Sequence, residues 1–82
     1  MTEHLKRKHE IGSIADVEVL KALIRQCAID QTDARILYMA HVDRQDQYFI
    51  ADSMGLSVQA VRKRYTAALA KLHRLARLRE ML

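Results

Sequence analysis

Residues 50–65, IADSMGLSVQAVRKRY, decide how this chain is read. One of its two glycines, Gly55, stands between two stretches with helical spacing, and Arg62, Lys63 and Arg64 follow in a row. On the amino-terminal side, Ile50, Ala51 and Met54 share one helical face. On the other side Ser57 is a helix-capping residue, and Val58, Val61, Tyr65, Ala68, Leu69, Leu72 and Ala76 recur at steps of three and four. Gly55 therefore ends one helix in a left-handed conformation, which costs a residue bearing a Cβ about 1 kcal/mol or more. A short helix, a tight turn with glycine and a second, capped helix spell a helix-turn-helix. Ala51 supplies the small residue where the two helices cross, Leu56 tucks into the core from the turn, and Val61 packs the second helix on the first.

Outward from this stretch the pattern stays helical. The 82 residues include no proline, and half are hydrophobic although only four are aromatic. This composition fits one small all-α domain with an aliphatic core. Asp46 is the expected cap of the helix before Gly55. Upstream, Ile36, Leu37, Met39 and Ala40 define a helix over about 33–42 capped by Thr32. Ile14, Val17, Leu20, Leu23, Ile24 and Cys27 define another over about 14–28 capped by Ser13. Residues 1–12, MTEHLKRKHEIG, show no sustained apolar period and read as a flexible basic arm ahead of a domain over 13–82. The expected architecture is four helices, the last a long recognition helix of about 25 residues, or ~37 Å, reaching the chain end.

Charge is unevenly distributed. Residues 1–9 carry three basic residues against one acidic, residues 10–61 four against eight, and residues 62–82 seven against one. An acidic body with a basic last helix suits a phosphate-rich partner, and double-stranded DNA is the expected one. With Val61 and Tyr65 inward, Gln59, Ala60, Arg62, Lys63 and Thr66 point outward. Gln59 pairs naturally with adenine, and Arg62 or Lys63 with guanine. Arg64 and Thr66 are expected to flank the groove, and Arg35 and Arg44, at the ends of the helix capped by Thr32, to hold phosphates.

Residues 31–73, QTDARILYMAHVDRQDQYFIADSMGLSVQAVRKRYTAALAKLH, resemble region four, the DNA-binding region of bacterial RNA polymerase sigma factors. LuxR-type output domains are the next closest in pattern. The resemblance rests on Ile50-Ala51, on Gly55-Leu56-Ser57, and on the apolar ending through Val61, Tyr65, Ala68 and Leu72, with VLKALIRQCAIDQT as the helix leading in. It implies major-groove contacts from Ser57 through the first two turns of the last helix, with Gln59, Arg62 and Lys63 nearest base edges and Val58 and Ala60 against a thymine methyl. The adjacent aromatics Tyr48 and Phe49 depart from the family pattern, which often has an acidic residue before the Ile-Ala. The chain has no room for the separate region that grips the polymerase and melts the promoter, so the resemblance implies a region-four-like module rather than a whole sigma factor.

Leu75, Leu78 and Leu82 form a stripe beside the core positions of the last helix and are the expected dimer or partner contact. Three functions fit the sequence. The first is a sequence-specific transcription regulator, dimeric on DNA. The second is a module docking on RNA polymerase or a split sigma partner, and the third a phage or plasmid DNA-binding accessory. His4, His9, His41 and His73 have no metal-ligand spacing, Cys27 stands alone, and no nucleophile–base pattern is discernible. No metal, cofactor or enzymatic activity is expected. With no apolar run long enough for a signal peptide or a membrane span, the expected setting is the cytoplasm.

Overall fold

A computed structural model describes residues 2–82. It contains five helices and, among those residues, no strand: α1 Glu3–Gly12, α2 Val17–Gln26, α3 Gln31–His41, α4 Gln47–Met54 and α5 Val58–Leu78. Among the described residues, no helix is long and apolar enough to cross a membrane.

Each helix begins where a short polar side chain can accept an otherwise orphaned amide. Thr2 Oγ1 accepts from the Leu5 amide (3.2 Å), Asp16 from Glu18 (2.9 Å), Asp30 from Asp33 (2.8 Å), Asp46 from Phe49 (2.9 Å) and Ser57 from Ala60 (3.0 Å). Asp46 and Ser57 are the caps expected from the sequence. Ser13 and Thr32 are not caps. Ser13 closes α1 instead, its Oγ donating to the Glu10 carbonyl at 2.6 Å, and Asp30 starts α3 two residues ahead of Thr32. In both cases a carboxylate a few residues away wins the position, being the stronger acceptor and favoured by the helix dipole.

The largest correction lies at the amino terminus. Residues 3–12, expected as a flexible arm, form α1, which makes the domain five helices rather than four. Ile11, fully buried, anchors α1 in the larger core cluster with Leu20, Leu23, Leu37, Leu69, Leu72 and Ala76. A second cluster of Ile36, Met39, Ile50, Ala51 and Val61 joins α3, α4 and α5. Tyr65 packs against both clusters, so α5 is the shared wall of the two half-cores. The radius of gyration, 11.8 Å, matches the ~12 Å of a compact chain this long.

Helix α5 does not reach the chain end. It stops at Leu78, and the Met81 amide donates to the Ala76 carbonyl at 2.9 Å while Glu80 takes a left-handed φ of 57°. That is the six-to-one closure of a Schellman motif, made here without glycine. Ala76 is the last buried residue, so nothing beyond it holds further turns in place.

Between α4 and α5 the turn is as the sequence anticipates. Gly55 has φ 66° and ψ 31°, and the Leu56 amide donates to the Ala51 carbonyl at 3.0 Å. A Cβ added at Gly55 would meet nothing within 4 Å, so steric clash is absent and the backbone alone sets the cost. Gly55→Ala is accordingly expected to destabilise by about 1 kcal/mol, read as a shifted urea midpoint at unchanged slope. A neutral substitution would mean that the turn relaxes out of its left-handed conformation.

Candidate nucleic-acid interface

The first three turns of α5 carry two kinds of side chain. Val61 is buried and Tyr65 partly so, which turns Gln59, Arg62, Lys63 and Thr66 outward, and all four are exposed. Arg62 Nε donates to Gln47 Oε1 of α4 at 2.8 Å. Gln47 thereby orients the guanidinium and leaves its terminal N–H groups unused by that contact. Thr66 Oγ1 donates back to the Arg62 carbonyl at 2.9 Å, which directs its proton into the helix. Gln59 and Lys63 make no side-chain hydrogen bond or ion pair within 2–82.

Other expected positions fall differently. Val58 is half-buried and packs against the smaller cluster, so little of it is left to meet a methyl group outside. Ala60 is half-buried, and the Ser57 hydroxyl is used in capping α5. Arg64, expected at a groove wall, turns toward α3 instead: its Nη1 lies 3.1 Å from Asp33 and 3.5 Å from Asp30. The acids that start α3 draw it there, and its hydrogen bond to Asp33 holds the guanidinium still more firmly protonated. An ion pair this exposed is screened by salt and adds little stability. Arg35 is exposed on α3, and Arg44 is exposed in the turn after it at φ 55°.

Tyr48 and Phe49 are 62 % and 51 % exposed on α4. Of the leucine stripe, Leu75 packs against the larger core cluster of its own chain. Leu78 is 76 % exposed, and Leu82 stays accessible beside Met81. Cys27 is buried, and burial pushes its thiol pKa up. No cluster of three or more His, Cys, Asp or Glu among the described residues is arranged to hold a metal ion.

Beside the exposed face of α5 lies a cleft of about 760 Å³ bounded by α1, α3, α4 and α5. Inside it His41 Nε2 and the Tyr65 hydroxyl are 2.9 Å apart, with the two rings stacked at 5.7 Å. His4 meets Tyr65 edge-on at 5.8 Å. Burial lowers the His41 pKa to about 4, with Lys8 and Arg44 adding repulsion, and raises that of Tyr65 to about 12. At neutral pH the ring is therefore uncharged, and Tyr65 keeps a proton that it can donate to Nε2. Helical period alone turns Tyr65 inward, but its partner lies 24 residues away and leaves no local signal. His73 on α5 is likewise buried, with Nε2 3.4 Å from Glu10 Oε1 of α1, a contact that falls short of a hydrogen bond.

Comparison with known proteins found no matching family model, no matching curated protein and no matching solved structure. Any functional reading thus rests on the geometry of this chain.

Proposed function

We propose that this chain is a helix-turn-helix DNA-binding regulator resembling sigma region four, with α4 as supporting helix and α5 as recognition helix. The observation that carries the reading is the outward face of α5. Gln59 and Lys63 have no partner within the described residues, and Arg62 is oriented by Gln47, directly after a left-handed glycine turn. In a major groove about 12 Å wide, Gln59 would meet an adenine and Lys63 or Arg62 a guanine. Arg35 and Arg44 would take phosphates, and so would Arg64 once salt or DNA releases it from Asp33. A homodimer through the exposed Leu78 and Leu82 would read two half-sites.

Selection from a random duplex pool, followed by anisotropy titration of the winning sequence, tests this. Log affinity should fall linearly with log salt. Lys63→Ala should cost about 1–3 kcal/mol on the selected duplex, roughly 5- to 150-fold, and relax the preference at one base position. No selected motif, or an affinity indifferent to salt, would rule the reading out. The exposed Tyr48 and Phe49 favour a second reading, docking on RNA polymerase or a sigma-like partner. That reading calls for a stable protein complex that Phe49→Ala weakens, with little affinity for duplex alone.

A further inference from the structure

The cleft beside α5 has the makings of a ligand site. Its volume, about 760 Å³, lies in the range of small-molecule pockets, roughly 300–1,000 Å³. Ile36, Ile50 and Val61, each nearly or fully buried, lie beneath its lining and keep its base rigid. One wall is the aromatic group of Tyr65 with His41 and His4 against it, and the His4 Nδ1 is buried without a hydrogen-bond partner. The charged lining residues are Lys8 of α1, Arg62 of α5 and Asp46, and Asp46 already uses one oxygen to cap α4. Arg44, close enough to depress the His41 pKa, adds another positive charge nearby. A cleft with an aromatic wall, and with two cations against one carboxylate in its lining, suits an amphipathic anion held at the Lys8 and Arg62 side.

We propose that this cleft binds a small aromatic carboxylic acid, its ring against Tyr65 and its carboxylate toward Lys8 and Arg62. Arg62 is at once a lining residue of the cleft and a member of the exposed α5 face, so an occupied cleft draws its guanidinium away from a duplex. This second half rests on the DNA-binding reading; the first does not.

Calorimetric titration of the full chain without DNA tests the first half, with naphthoate as probe. The neutral naphthamide, the cationic naphthylmethylamine and inorganic phosphate serve as comparisons. Saturable binding of naphthoate at least tenfold tighter than of the other three is expected, with shifted side-chain resonances of His41 and Tyr65. Lys8→Ala, at an exposed helical position, should weaken it tenfold or more while leaving the melting temperature in place. Absence of naphthoate binding, equal binding of the amide or amine, or phosphate binding as tightly would each overturn the site. For the second half, saturating naphthoate should lower affinity for a selected duplex about tenfold, and Lys8→Ala should abolish that response. Undiminished duplex affinity in the saturated protein overturns the regulatory half. A protein that takes up naphthoate but no duplex overturns the DNA-binding reading and leaves the site standing.

Discussion

Ile11→Ala is expected to lower the unfolding free energy by about 2–4 kcal/mol, and the melting temperature by about 10–20 °C. Ile11 is fully exposed to the interior of the larger cluster and not at all to solvent. Truncation removes three carbons from a site whose neighbours, among them Leu69 and Leu72, are themselves fully buried and have little room to collapse. A chain of this length holds only about 4–12 kcal/mol in total, so the loss is a large part of it. Leu5 on the same helix is half exposed, and Leu5→Ala should change stability by no more than about 1 kcal/mol. The pair of variants in urea melts separates a packed α1 from an arm. An Ile11→Ala protein as stable as the parent would show that α1 is not part of the folded core.

That helix is also where the sequence was hardest to read. Between Thr2 and Ser13 only Leu5 and Ile11 are large and apolar, six residues apart, and six does not fit one helical face well. Its one buried residue is Ile11, and what fixes the helix is the packing of that residue in the cluster with Leu69, Leu72 and Ala76 of α5, about 60 residues further along the sequence. Tertiary packing of this kind has no local signature. The α4–α5 turn is the opposite case. Asp46, Gly55 and Ser57 each act within a few residues of themselves, through a cap or a left-handed φ, so spacing alone reveals them.

The candidate interface divides along the same line. Which residues of α5 point outward follows from the 3.6-residue period and the inward Val61 and Tyr65. What each outward side chain is already doing depends on partners 15 residues away for Arg62 and 31 for Arg64. The basic trio is therefore electrostatically unequal. Lys63 is uncommitted among the described residues, Arg62 is aimed by Gln47, and Arg64 is neutralised by the acids at the start of α3. Net charge overstates the positive field this face offers.

Acid should destabilise the fold through His41. Burial, with Lys8 and Arg44 adding to it, holds the ring at about 4 in the folded chain, against about 6.5 when unfolded. Between those values the unfolded chain binds the proton and the folded chain does not, so the unfolded state gains as pH falls. Stability from this group is therefore complete above about pH 6.5 and is lost progressively down to about pH 4. The ring is only partly buried, and allowing for solvent screening the loss is about 2 kcal/mol. Protonation also bars Nε2 from accepting a hydrogen bond from the Tyr65 hydroxyl 2.9 Å away, because both ring nitrogens then donate. Urea melts at pH 7 and pH 5 measure the effect. His41→Gln keeps a polar partner for Tyr65 but cannot charge, so its stability should fall by about 1–2 kcal/mol less than the parent's over that interval. Equal losses in the two proteins would assign the acid sensitivity to other groups and remove His41 from the account.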